Sequence, residues 1–130
     1  MMKFFISIIT ISFLMNISYA QPQNKNELAL ELIDNICGDT WCEGEFNFEF
    51  FDFELNTKQS EAKVSFKLII EWNKEPKFFE THCIVKKIHS FNDVIGSYRG
   101  RPGLDNHFYE ELSLCISDKE EVFRNILESK

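Results

Sequence analysis

The sequence predicts an α+β fold: an N-terminal helix, a three-stranded antiparallel meander that a fourth strand could extend, and two C-terminal helices packed on the sheet. Apolar residues recur at helical spacing before Gly38 and again after Asn106, whereas between Phe46 and Trp72 they alternate with polar residues. Short polar loops separate the alternating segments, which favours antiparallel pairing of consecutive strands. Such a sheet has an apolar face, which amphipathic helices can cover.

The first helix is predicted over Glu27–Ile36, where leucine and isoleucine recur every four residues and therefore share one face. Gly38 follows directly, and glycine commonly ends helices because it adopts the left-handed backbone conformation without strain. Residues 21–26 are polar and lack apolar periodicity. We expect them to form a flexible lead-in to the domain.

The first predicted strand changes phase along its length. Phenylalanines alternate with polar residues up to Phe50 and again from Phe51, but the two series have opposite parity. One extra residue would restore a common face, so a β-bulge is predicted between Phe50 and Phe51. The second and third strands are predicted over Ala62–Trp72 and Phe78–Ile88, after polar loops at 56–61 and 73–77.

Helical spacing returns after the third strand. A short helical turn is predicted at Phe91–Ile95, and a longer helix over Asn106–Ile116. Ser117, with Glu120 three residues later, matches a capping box, which predicts that a separate last helix begins at Ser117. Its buried stripe is expected to contain Val122, Phe123, Ile126 and Leu127.

Residues 1–20 have the layout of a secretory signal peptide. A lysine precedes an apolar run from Phe4 to Met15, and the small residues Ser18 and Ala20 match a cleavage site. The run is shorter than the roughly 20 residues that a bilayer crossing needs. We expect cleavage near Ala20, a secreted or periplasmic protein without a membrane span in the mature chain, and a single domain over 27–130.

Four cysteines in a small exported domain indicate two disulfide bonds. Among the three possible pairings, Cys37 with Cys42 and Cys83 with Cys115 is favoured. The first pair flanks a four-residue turn, and the second joins a predicted strand to a predicted helix. The spacing leaves the other two pairings open.

Acidic side chains outnumber basic ones. Without residues 1–20 the chain holds 13 basic and 21 acidic side chains, a net charge of −8. This balance opposes binding to nucleic acid or to an anionic membrane, and it steers cationic partners toward the protein. We expect a protein or another envelope or extracellular component as partner, and no nucleic acid. The simpler interpretation is that the charge serves solubility, and the oligomeric state is left open.

The loop CGDTWC contains the first candidate binding residues, Asp39, Thr40 and Trp41. A disulfide bond between Cys37 and Cys42 would hold this loop rigid, and a rigid aromatic side chain loses little entropy when it contacts a partner. The alternative is that Trp41 covers the end of the sheet while the two polar side chains accept hydrogen bonds from the backbone.

The second candidate loop, residues 96–103, contains three glycines, one proline, Arg99 and Arg101. Its backbone amides and the two guanidinium groups could bind an anion. The lysine and the hydroxyl residue that complete a P-loop are missing, so a mobile surface loop is the simpler interpretation.

No metal or catalytic motif is indicated. Six carboxylates lie between Asp39 and Glu54, but an EF-hand loop that starts at Asp39 would have Trp41 at its third position, where an oxygen ligand is needed. The three histidines lack the spacing of a metal motif, and there is no GxSxG element. We expect no metal site and no cofactor, and catalytic residues cannot be assigned.

The sequence therefore favours an exported, small, non-enzymatic binding or inhibitor-like module of unknown partner, because a cross-linked scaffold occurs without a catalytic motif. One alternative is a small secreted hydrolase that uses two carboxylates as general acid and base. A pocket containing two acids whose pKa values are shifted in opposite directions would indicate it. Another alternative is a purely structural envelope protein.

Overall fold

The computed structural model describes residues 24–39, 42, 44–95 and 107–129. The elements are α1 (Lys25–Asp39), β1 (Asn47–Asn56), β2 (Glu61–Trp72), β3 (Glu75–Lys86), α2 (Asn92–Ile95) and α3 (His107–Glu128). The strands form one open antiparallel sheet in the order β1-β2-β3. This arrangement confirms the predicted α+β class with its N-terminal helix, three antiparallel strands and two C-terminal helices. Within the described ranges, no fourth strand joins the sheet.

Helix α1 extends beyond its predicted bounds at both ends. It starts at Lys25, inside the predicted lead-in, because the side chain of Asn24 accepts a backbone N–H of the first turn at 2.8 Å. It passes through Gly38 and ends at Asp39, so the predicted glycine cap is wrong. The N–H of Cys42 donates to a carbonyl of the last turn at 2.9 Å and takes the role of the cap.

Strand β2 lies at the centre of the sheet and alternates between buried and partly exposed residues, and its even-numbered residues over Ala62–Leu68 are fully buried. The predicted bulge in β1 is confirmed. The register shifts between Phe50 and Asp52, which leaves Phe51 as the extra residue, 45% exposed. Beyond the bulge, Phe53 returns to the buried face and is fully buried.

The turn between β2 and β3 contains only Asn73 and Lys74, whose φ angles of 54° and 69° are left-handed. Left-handed φ angles at both residues are typical of the two-residue turns that fit the twist of a hairpin. The predicted loop over 73–77 is therefore too long, and Pro76 lies inside β3. Proline is tolerated there because β3 is an edge strand, where one missing N–H leaves the ladder intact.

Both long helices pack against the sheet, α1 on β1 and α3 on β3. Helix α3 runs antiparallel to β3, because Cys115 is bonded to Cys83 and Phe123 stacks on Phe79 with ring centroids 5.3 Å apart. The short helix α2 contacts both long helices. Packing of a C-terminal helix on the sheet is therefore seen for α3, whereas α2 lies against the helices.

Helix α3 is continuous, so the predicted boundary at Ser117 is wrong. The buried residues before and after Ser117 lie on the same face of the helix. A break at Ser117 would have placed the later residues on a different face. Val122 and Ile126, expected in the buried stripe, are 45% and 39% exposed, and Glu120 lies on the buried side instead. The buried residues of α3 are Phe108, Tyr109, Leu112, Ile116, Phe123 and Leu127.

The two disulfide bonds join Cys37 to Cys42 and Cys83 to Cys115, which is the pairing that the sequence favoured. The Cα atoms are 4.8 Å apart in the first pair and 6.1 Å apart in the second. Cys37 and Cys83 are both buried. The first bond closes a local loop at the end of α1, whereas the second connects two elements that are distant in the sequence.

The two disulfide bonds should differ in their contribution to stability. Their cysteines are separated by 5 and 32 residues, for which the chain-entropy model gives about 2 and about 3 to 4 kcal/mol. We expect C83A/C115A to lower the free energy of unfolding in urea more than C37A/C42A does. The pairs are matched, since each contains one buried cysteine. Equal losses, or a larger loss for C37A/C42A, would contradict this ranking.

Candidate binding surface

Few of the predicted binding residues lie in the described part of the structure. Thr40, Trp41, Arg99 and Arg101 lie outside the described residues, and only the backbone of Asp39 is described, as the last residue of α1. The described residues that flank the two candidate loops show where each loop joins the fold. The first loop is closed by the Cys37–Cys42 bond, and the second follows Ile95 at the end of α2.

These two loops leave the fold at opposite ends of the sheet. One end, which we call the Trp72 end, contains the β2–β3 turn, the start of β1 and the last turn of α3. The first candidate loop leads into β1 at this end. The other, which we call the His89 end, contains the end of β1, the start of α1 and helix α2. The anchors of the two loops therefore do not form one surface.

A largely apolar cleft of about 420 Å³ opens at the Trp72 end, and we call it the Trp72 cleft. It lies between the β2–β3 hairpin and the last two turns of α3. Ile126 is 39% exposed, so an entering group would contact uncovered apolar surface. The lining residues are Trp72, Asn73, Glu75, Lys77, Phe78, Phe123, Ile126 and Leu127.

The two charged groups at this cleft are paired with each other. The Nζ of Lys77 lies 3.2 Å from Oε2 of Glu75, in a solvent-exposed ion pair. Preformed apolar clefts with a few polar groups at the rim are typical binding sites. The geometry suits an apolar side chain, with the ion pair available to orient polar groups beside it.

An arginine links the start of β1 to α3 near this cleft. The Nε of Arg124 donates to Oε1 of Glu45 at 2.8 Å, and its guanidinium lies 5.2 Å from the ring centroid of Phe46. Phe46 stacks in turn on Phe123, with centroids 5.5 Å apart. The rings and the arginine hold the last turns of α3 in place, which fixes the wall of the Trp72 cleft.

Burial raises the pKa of Glu120, which lies one helical turn before Arg124. The positive charge of Arg124 opposes this rise, and the negative charge of Glu45 adds to it. Glu120 does not line the Trp72 cleft. Its raised pKa therefore reflects its place on the buried side of α3 and affects stability.

A second, wider cleft of about 730 Å³ lies at the His89 end. Several of its polar groups already have partners. Nδ1 of His89 lies 3.1 Å from Oγ of Ser60, and the carboxylate of Asp93 accepts the backbone N–H of His89 at 2.7 Å. Its lining residues are Lys25, Asn26, Glu54, Leu55, Thr57, His89, Ser90, Phe91, Asn92 and Ile95.

No group of three or more histidine, cysteine, aspartate or glutamate side chains in the described residues is placed to hold a metal ion. None of the helices in the described part of the chain combines the length and apolar character that a bilayer crossing needs.

Comparisons with known proteins return no relative: no protein-family model, no curated protein and no solved structure matches the chain. The candidate surface is thus defined by its geometry. Sequence reasoning missed the Trp72 cleft because it divided α3 at Ser117 and placed Ile126 in the buried stripe. A continuous helical phase through Ser117 was the available signal, because it turns Ile126 away from the core.

Replacing Glu120 by glutamine should stabilise the protein at pH 7. A folded-state pKa above the unfolded value means that stability is lost as the pH rises through the folded pKa. Glutamine removes that loss, so we expect E120Q to raise the free energy of unfolding slightly, because Glu120 is only partly buried and water screens its charge. The difference should vanish below about pH 4, where glutamate is protonated in both states.

Urea denaturation at pH 7 and at low pH measures the effect, and E121Q is the control, because it removes the same charge at an exposed position of the same helix. Destabilisation of E120Q at pH 7 would show that attraction to Arg124 outweighs burial.

Proposed function

We propose that this protein is an exported, non-enzymatic binding module that takes an apolar side chain of a protein partner into the Trp72 cleft. The observation that carries the proposal is the preformed cleft, in which Ile126 remains partly uncovered. Aromatic and aliphatic anchors in a pocket commonly supply most of the energy of a protein interface.

The proposed partner is basic around its apolar anchor. The chain has a formal net charge of −7, which attracts cationic segments and repels acidic ones. Two disulfide bonds support binding by a rigid scaffold, which loses little conformational entropy in a complex. They also support the proposed secreted or periplasmic location after cleavage near Ala20, because disulfides persist in oxidising compartments.

The two candidate loops have separate places in this proposal. Asp39, Thr40 and Trp41 belong to the loop that joins the fold at the Trp72 end, so we propose that they extend the surface around the cleft. Arg99 and Arg101 follow Ile95, which lines the cleft at the His89 end. They would contact a different part of the partner or an anion.

Binding of a basic peptide should depend on the lining of the Trp72 cleft. The probe is a synthetic peptide with one leucine flanked by lysines, titrated into ¹⁵N-labelled protein and followed by NMR. We expect shifts of the Trp72 indole N–H and the Ile126 amide. I126A should weaken binding by about fivefold or more, since removal of an anchor contact costs about 1 kcal/mol or more.

V122A is the matched control, because Val122 is a similarly exposed aliphatic residue of α3 that does not line the cleft. A peptide with glutamates in place of the lysines tests the charge preference and should bind more weakly. W41A, measured in parallel, tests the loop. Equal effects of I126A and V122A, or no shifts at the cleft, would remove this site and leave a structural envelope role as the better hypothesis.

A further inference from the structure

Strand β3 has a long open edge. It is the last strand of the sheet, and within the described part of the chain no strand pairs with its other side. From Pro76 to Lys86 every even-numbered side chain is exposed. An unpaired edge of this length can pair with another strand unless charges, proline or bulges prevent it.

The even-numbered residues of β3 direct their backbone groups to this open edge. Along an antiparallel strand, residues that exchange hydrogen bonds with the neighbouring strand alternate with residues that do not. The Nε2–H of His107 donates to the Lys86 carbonyl at 2.8 Å, so this carbonyl points away from β2. Pro76 has the same parity, and its lack of an N–H is harmless at an open edge. Between them, Phe78, Glu80, His82 and Ile84 present N–H and C=O groups that no strand of the described residues pairs with.

The side chains of these four residues are complementary to themselves in the reverse order. A two-fold axis at Thr81 would place Phe78 opposite Ile84 of a second copy, and Glu80 opposite His82 of that copy. Apolar residues then face apolar residues, and each carboxylate faces an imidazole. Such cross-strand pairs stabilise sheets.

Other registers lack this complementarity. If the second copy's strand were shifted by one residue, its Phe78 and Ile84 would lie on the other face of the sheet. An axis at Glu80 would place two glutamates opposite each other, and like charges in that position are destabilising. An axis at His82 would place two histidines together and Phe78 opposite Lys86. Only the axis at Thr81 matches all four residues among these choices.

We propose that two copies of this protein pair through their β3 edges, antiparallel and with the axis at Thr81, to form one continuous six-stranded sheet. The ends of the pairing support this register. Pro76 would face Lys86 of the second copy, and the donor that proline lacks is not needed, because His107 already bonds that carbonyl.

The surroundings of the two edges also favour β3. The open side of β1 is interrupted by the bulge at Phe51 and bears Glu49, Asp52 and Glu54, features that discourage pairing. Beside the end of β3, a groove of about 490 Å³ separates the strand from α3 and includes Leu114, which is 62% exposed.

Sedimentation equilibrium over a concentration series tests the association. We expect the mass of a dimer and, for I84K, an increase of the dissociation constant by at least about tenfold, because lysine replaces an apolar contact of the pair. F51K is the matched control, since Phe51 and Ile84 are both 45% exposed and lie on opposite edge strands. F51K should associate like the wild type. Monomers at all concentrations, or equal effects of the two variants, would overturn the proposal.

Cross-linking tests the register. Residue 78 of one copy faces residue 84 of the other, whereas two copies of residue 78 lie far apart. Under mild oxidation, an equimolar mixture of F78C and I84C should form a disulfide-linked dimer, and each variant alone should not. Cross-linking of a single variant, or none in the mixture, would overturn the register. The sedimentation result for I84K is independent of the Trp72 cleft, because Ile84 does not line that cleft, and I126A tests the cleft separately.

Discussion

The disulfide bond between Cys83 and Cys115 is the constraint on which the rest of this structure depends. It fastens α3 to β3 in the middle of the helix, and the stacking of Phe123 on Phe79 fixes the same helix eight residues further on. These two contacts set the direction of α3, so its last turn reaches the β2–β3 hairpin and forms the Trp72 cleft. At the other end of α3, the first residue, His107, reaches the end of β3.

The two edges of the sheet have different chemistry for reasons that lie in the strands themselves. In β1, the extra residue Phe51 and the neighbouring carboxylates interrupt the open edge. Strand β3 is regular from Pro76 to Lys86, and its exposed residues include the apolar Phe78 and Ile84 and the polar Glu80 and His82. Within the described residues, a sheet with one covered face thus leaves a cleft at one end and an unpaired edge along β3.

Local patterns in the sequence predicted what local physics determines. Alternation predicted β2, and the parity change at Phe50 predicted the bulge, because one extra residue is the simplest way to restore a buried face. The errors came where tertiary contacts override local preference. The sequence predicts a loop at Pro76, but proline is compatible with an edge strand such as β3. It predicts the start of a helix at Ser117, but α3 continues through that residue. The Trp72 cleft depends on both points, and the helical phase through Ser117 was the one sequence signal that could have indicated it.

The central claim is that disulfide bonds formed after export hold this domain together. Its most direct test is mass spectrometry, with and without a thiol-alkylating reagent, of protein recovered from its native location. The account predicts a chain that begins at Gln21 and has no thiol that reacts before reduction, with non-reduced peptides linking Cys83 to Cys115. A chain that retains residues 1–20 and carries four reactive thiols would contradict it.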